Sequence, residues 1–419
     1  MRILVLTDRF LPEISPPCFR TMDHAQQWMK MGHEVTVLTC APNSPHGKVF
    51  SGYRNRLWQT EEMDGVKVIR IWTYMTSNEG IVKRSLDYLS FALMAIFFFW
   101  RLPKFDIMVA SSPPLFVPVG VYGLSLLRRR PWVFELRDLW PASIAAVGLK
   151  MGRVMRLLTK LEMFLYRKAD RIVAVTPAFI EELVERGIPR EKLDMATNGV
   201  NTEIFNEGNV KFDAREKLGI KEGEFLAAYI GATGAAHGLI TILDAAELCR
   251  DQPDISFVII GEGADRAKLE KEAGDRNLTN LMFHDFVPHD EIPSYLAALD
   301  VGIVHLRPHK VFTTVIPSKI FEFMAMGIPM VYGVEGCSAE IVEEAGAGYC
   351  IPSGNARAMV DAILDLQQNP QRLKEMGQCG RDAVAKEFSR AVKAKEMLHS
   401  FEKVLGLSSD DIIENPEEK

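Results

Sequence analysis

One carboxylate stands inside an apolar run. Glu322 lies in PSKIFEFMAMG, residues 317–327, among Ile320, Phe321, Phe323 and Met324. A charge in apolar surroundings is costly unless something compensates it, so Glu322 faces either water or a ligand. Pro317 and Ser318 read as a helix start, with Ser318 as N-cap. A helix over 319–326 places Ser318, Glu322, Ala325 and Met326 on one side by its spacing, and the large apolar residues elsewhere. The N-terminus of such a helix offers free N–H groups and partial positive charge, which suit a diphosphate. Lys319 in the first turn opposes the helix dipole but is sensible beside a phosphate. A carboxylate at 322 can accept hydrogen bonds from the vicinal hydroxyls of a sugar. The competing reading is a solvated acidic residue in an early helical turn.

Two glycine-rich turns carry the other candidate chemistry: YIGATGAAHG (229–238) and IIGEGADRAKL (259–269). Each lets backbone approach a ligand closely. Neither has the phosphate-loop pattern of a nucleotide triphosphatase or the G-x-G-x-x-G fingerprint. His33 sits in the turn GHEV before a strand, which points to structure. His305 and His309 flank Arg307 ahead of the PSK helix, as lining or as loop residues. The six cysteines are scattered, with no C-x-x-C pair, so neither a zinc site nor a disulfide framework is expected, and the thiols are read as reduced.

These groups need a scaffold, and the hydrophobic pattern supplies one. Continuous apolar strands alternate with helices: 2–7, helix 20–32, 34–39, 66–72, 105–112, 130–138 and 170–176. Such strands belong to a parallel sheet covered on both faces. After NGVNTEIFNEGNV (198–210) the cycle restarts: 224–231, helix 239–250, 255–263, 280–287, helix 291–300, 301–306, the helix after Pro317, and 329–333. The class is α/β, with two doubly wound Rossmann-like domains in tandem. Boundaries are placed at 1–205 and 206–390, with 391–419 as a C-terminal helix and tail that packs back toward the first domain. Ligands of such sheets bind at the carboxyl ends of the strands, facing a cleft.

The chain has 419 residues, 47% hydrophobic and 25% charged, which fits a globular protein of two cores. Residues 1–205 hold 27 Lys/Arg against 20 Asp/Glu, a net of +7; residues 206–419 hold 22 against 35, a net of −13. A basic half beside an acidic half implies an anionic partner for the first. MRILVLTDRF turns polar too soon for a signal peptide. The segment LSFALMAIFFFW (89–100) is flanked by Lys83, Arg84, Arg101 and Lys104. It is shorter than the ~20 residues a bilayer span takes. It is either a buried core helix or an amphipathic helix lying on a membrane surface. RRRPW (128–132) adds positive charge.

Across nearly its whole length the chain resembles the retaining nucleotide-sugar glycosyltransferases of family four, which have the GT-B fold. GHEVTVL, NGV (198–200), GEG (261–263) and above all PSKIFEFMAMGIPMV carry the likeness. Residues 41–74 and FELRDLWPAS (134–143) are most similar to the bacterial surface-polysaccharide branch, the O-antigen and colanic-acid type. The resemblance implies that Glu322 binds the ribose hydroxyls of the nucleotide. It implies that Gly231, Thr233 and Gly234 lie near the donor diphosphate, with Ser318 and Gly261 at the same donor site. Phe286, Val287 and Pro288 would meet the base through their backbone, and Pro17 and Arg20 would approach the sugar.

Three departures from the family pattern stand out. Thr314 replaces the first glutamate of E-x7-E, which contacts the transferred sugar. The diphosphate-loop Arg/Lys pair is missing; His237 falls near the lysine position, and Lys319 is expected to supply the charge. LRD replaces a family histidine, with Arg137 and Asp138 near its place. The catalytic set expected is therefore Asp138, Arg137 and Lys319, with no metal and no cofactor. Asp138 is a general base, a hydrogen-bond acceptor or a support for Arg137. The implied activity is retaining transfer from a UDP-linked donor to a polyprenyl-diphosphate-linked glycan, in the cytoplasm at an anionic inner membrane surface, with no nucleic-acid partner. A nucleotide-sugar 2-epimerase and a non-catalytic donor-binding scaffold are the rival readings.

Overall fold

The computed structural model describes residues 1–44, 46–77, 81–139 and 152–407. They form two compact units, 1–197 with 390 onward, and 198–389. The first division comes eight residues before the expected 205/206. Val200 bridges to Ser389, and Val200 and Phe205 belong to a core of the second unit. The helix Arg390–Leu405 belongs to the first unit.

The first unit is built on eight strands: β1 (Arg2–Leu6), β2 (Glu34–Cys40), β3 (Trp58–Met63), β4 (Val66–Ile71), β5 (Ile107–Ser112), β6 (Trp132–Leu136), β7 (Arg171–Ala174) and β8 (Leu193–Met195). Their order is β3-β4-β2-β1-β5-β6-β7-β8. All pairs are parallel except β3–β4, a hairpin closed by Asp64 and Gly65, both at positive φ. Every residue of β5 and β6 is buried, as strands covered on both faces must be. Alternation along β1 feeds two cores. Leu4 and Leu6 face Trp132 and Phe134, while Ile3 and Val5 join Trp28 and Phe401. Trp28 anchors the second of these: its indole N–H donates to the Ala394 carbonyl at 2.9 Å, and its ring meets Phe401 edge-on at 5.2 Å. Truncating so large a buried side chain costs about 3–5 kcal/mol.

The apolar 89–100 segment falls in the helix Ile81–Phe97 and the 3-10 turn Phe99–Arg101. Phe91, Ala95 and Phe98 enter the core, while Leu93, Phe97 and Trp100 are 56–57% exposed. The segment is thus a core helix on one face and leaves an exposed apolar face on the other. Among the described residues no helix is long and apolar enough to cross a membrane.

The second unit carries a parallel sheet of β9 (Phe225–Ile230), β10 (Ile255–Ile260), β11 (Leu281–His284), β12 (Val301–His305), β13 (Met330–Gly333) and β14 (Gly348–Cys350), in the order β11-β10-β9-β12-β13-β14. Strand order reverses between β9 and β12. Such a switch point opens a crevice beyond the carboxyl ends of the two strands, where open α/β sheets take their ligands. The loop after β9 is 231–238. The loop after β12 leads through the turn Lys310–Thr314 to the helix Lys319–Met326. Both segments singled out in the sequence thus meet at that crevice.

Candidate functional site

The two loops at the switch point are tied together by main chain. The Arg307 amide donates to the Ala236 carbonyl at 2.9 Å, and His305 Nδ1 lies 2.8 Å from the His237 carbonyl. A third loop, after β10, closes the stack. The Gly231 amide donates to the Ile260 carbonyl, and the Thr233 amide to the Glu262 carbonyl, both at 2.9 Å. This contact explains Gly261. Its φ is +129°, and a Cβ there would lie 2.2 Å from the Gly231 carbonyl oxygen. Thr233 is fully buried, and its Oγ1 has no hydrogen-bond partner among the described residues.

Lys319 points into this stack. It opens its helix, and its ammonium lies 3.7 Å from the centroid of the Tyr229 ring. The space beside it belongs to Gly231, where a Cβ would sit 2.7 Å from Lys319 Nζ. Nζ is closed off from solvent and finds no hydrogen-bond partner among the described residues. Burial drives the Lys319 amine down to about 7, and the Glu322 carboxylate opposes that fall. A buried donor without an acceptor is expensive, so this one is kept for something other than stability. The arrangement offers a diphosphate three things: a desolvated cation, a glycine-rich loop that lets a ligand approach the backbone closely, and a helix N-terminus.

Glu322 is half-buried one turn into the helix, on the side where Lys319 interacts with it. Two details differ from expectation. Ser318 occupies the cap position in helical conformation and makes no side-chain cap bond, because the first turn closes through backbone: Ile320 N–H to the Pro317 carbonyl and Phe321 N–H to the Ser318 carbonyl. Met326 is buried in the core rather than on the Glu322 side, since the helix is covered over most of its circumference.

The remaining donor-side candidates are placed as follows. Gly234 N–H reaches His237 Nδ1 at 3.3 Å, so His237 shapes the loop. Burial first, and Lys319 second, lower its imidazole below the usual range, leaving a neutral ring. Phe286 and Pro288 are exposed, while the Val287 side chain enters the core. Thr314 is half-buried, and its hydroxyl donates to the Val311 carbonyl at 3.0 Å. A separate pocket of 380 Å³ lies on the same unit, lined by residues such as Arg307, His309, Lys310 and Glu335. It does not include Lys319.

In the first unit, Arg137 and Asp138 follow β6 and are half-buried. Arg137 Nη1 reaches Ser111 Oγ at 3.4 Å, and burial lowers its guanidinium against the opposing pull of Glu135. Trp140–Ser143, part of the stretch that carried the closer resemblance, lie outside the described residues. Pro17 is half-buried in the first turn of the helix Pro16–Lys30. Arg20, expected on the sugar side, lies in the same helix. It is 1% exposed, donates to Glu135 at 2.7 Å and to the carbonyls of Thr197 and Ala196 at 2.9 and 3.1 Å, and so braces the unit from within.

Sequence reasoning passed over Tyr229, which read as one more apolar strand residue. Its tyrosine identity near the end of β9, at the entry to the glycine-rich loop, was the available signal. It also passed over the buried Arg390–Asp23 pair at 3.0 Å, whose partners are 367 positions apart. Among the described residues no cluster of three His, Cys, Asp or Glu side chains could hold a metal.

Residues 210–383 match the family described as glycosyl transferases group 1, and residues 19–199 match the glycosyl transferase 4-like domain. An Escherichia coli protein named for colanic acid biosynthesis as a glycosyl transferase, WcaI, is 27% identical over 94% of this chain and 97% of its own. WbjE of Pseudomonas aeruginosa, named a glycosyltransferase, is 26% identical over 71% of this chain and 74% of its own. The crystal structure of Anabaena HepE in complex with UDP-glucose superposes with a TM-score of 0.71 at 15% identity, covering 96% of this chain and 100% of that one.

Proposed function

We propose that this chain, in which a glycosyl transferase 4-like domain is followed by a glycosyl transferases group 1 domain, is a two-domain glycosyltransferase of GT-B fold. From that premise we propose that it moves a sugar from a UDP-linked donor to a polyprenyl-diphosphate-linked glycan during assembly of a bacterial surface polysaccharide, with retention at the anomeric carbon. The observation that carries the donor assignment is the unpartnered Lys319 ammonium beside Gly231. The relative named for colanic acid biosynthesis supports the polysaccharide context, and the neighbour bound to UDP-glucose supports the choice of nucleotide.

In this reading the donor diphosphate rests on Lys319 beside the glycine-rich loop, and Glu322 accepts from the ribose hydroxyls. The bond from the anomeric carbon to the diphosphate oxygen breaks, and the acceptor oxygen attacks from the same face. The acceptor proton passes to a leaving diphosphate oxygen. Lys319 and the helix terminus stabilise the charge that develops on the leaving group. Arg137 and Asp138 are assigned to the acceptor side.

The acceptor's lipid calls for contact with a membrane, and the first unit has a suitable surface. Leu93, Phe97, Trp100, Leu126, Leu127 and Leu157 are exposed on its helices. The basic side chains of the same stretches, among them Arg101 and Lys104, would attract anionic headgroups at about 1 kcal/mol each. We place the protein on the cytoplasmic face of the membrane by this surface.

The test is a panel of nucleotide sugars incubated with a synthetic polyprenyl diphosphate monosaccharide, with products identified by mass. A lipid product one sugar heavier, made from a UDP-sugar, is expected. Conversion of the donor without acceptor would point to an epimerase, and no turnover of any donor to a binding scaffold.

A further inference from the structure

Tyr229 has no role in the reading above, yet its side chain is fixed at both ends. It is fully buried at the end of β9, and its hydroxyl donates to the Ala232 carbonyl at 2.8 Å, inside the glycine-rich loop. Its ring faces the Lys319 ammonium at 3.7 Å, and the His237 ring stands against it at 5.9 Å, edge-on. Of the titratable groups near Lys319, Glu322, on its own helix, bears on it by charge, while His237, on the loop after β9, is held neutral. Arg381, from the helix that packs alongside, reaches the other end, at the Met326 carbonyl. An apolar wall beneath a buried amine favours the neutral form. An aromatic face instead attracts the cation through its quadrupole, and more strongly where water is excluded.

We propose that Tyr229 is a positioning residue for the donor site: its ring holds Lys319 protonated and aimed past Gly231, while its hydroxyl sets the loop that the diphosphate meets. This rests on the donor assignment of Lys319. A diphosphate arriving over Gly231 then finds the cation in place, still seated on the ring.

The probe is UDP-glucose, whose diphosphate charge is fixed near neutral pH, titrated between pH 6 and 9. Tyr229→Leu should bind it about tenfold more weakly at pH 8 and nearly as well as wild type at pH 6. Tyr229→Phe keeps the ring and should keep the wild-type pH profile. Lys319→Arg cannot lose its charge in this range, and in that background Tyr229→Leu should add no pH dependence. Carbon-13 NMR of labelled lysine in the free protein reads the same effect without donor: Tyr229→Leu should lower the Lys319 midpoint by about one unit, and Tyr229→Phe should not. A uniform loss of affinity at all pH values, or an unmoved midpoint in Tyr229→Leu, overturns the proposal. If Lys319→Met leaves UDP-glucose binding unchanged, the donor assignment itself falls. If Lys319→Met weakens binding while Tyr229→Leu moves neither readout, only the role of Tyr229 falls. Should Tyr229→Leu fail to fold, Tyr229→Phe and Tyr229→Trp must still retain the midpoint, and a shift in either refutes the ring's role.

Discussion

Replacing Lys319 by Met should make the protein more stable and a poorer binder at once. The wild-type amine is pushed down from an ordinary 10.5 to about 7 by burial. Between those values the unfolded chain binds a proton that the folded chain has released, so wild-type stability rises with pH across that window. At 1.36 kcal/mol per unit, the penalty of burying the amine approaches about 4 kcal/mol at neutral pH. Met has similar length and needs no partner, so Lys319→Met relieves this cost. A gain of even half that size raises the melting temperature of a unit of this length by several degrees, at roughly 2–4 °C per kcal/mol. The variant should also lose the rise in stability between pH 7 and 10. UDP-glucose affinity should fall about tenfold to a hundredfold, the range for one charge-assisted hydrogen bond. Thermal melts at several pH values and calorimetric titration with UDP-glucose read both effects. A variant that melts lower and binds UDP-glucose normally would refute the reasoning, because Lys319 would then be part of the scaffold.

Glu322→Ala should weaken UDP binding by about tenfold to a hundredfold with little change in melting temperature; titration and melts run together separate this from a solvated carboxylate, which leaves affinity unchanged, and a structural one, which lowers stability. Arg20→Ala should lower stability by at most about 3–5 kcal/mol, because it removes one buried partner of Glu135 and leaves Arg137 and Ser111; an unchanged melting temperature would count against the brace. Flotation with anionic liposomes should recover the protein at low salt and lose it at high salt. Replacing Phe97 and Trp100 by Ser should reduce that recovery, and equal recovery on neutral lipid would remove the basic residues from the account.

Much of the scaffold was legible because it rests on local patterns. IMVASS and WVFEL are apolar throughout, as strands of a buried parallel sheet are, and the helix over 319–326 was bounded by Pro317 and Gly327. The strand Trp58–Met63 was missed, since WQTEEM is polar on an edge; the Asp64–Gly65 pair was the sign of its hairpin. Long-range pairing was the harder limit. Nothing near Arg20 announces Glu135, 115 positions later, so the pairing was not foreseen. Lys319 was identified from its place in the first helical turn. That it would be without a partner, and seated on Tyr229, depends on two loops that meet only at the strand-order reversal.

The most direct test of the donor site is a crystal structure of the protein with UDP-glucose. The diphosphate should lie within about 3 Å of Lys319 Nζ, over Gly231, with the ribose hydroxyls on Glu322. Electron density for the nucleotide in the pocket lined by Arg307, His309, Lys310 and Glu335, with Lys319 still unpartnered, would contradict it.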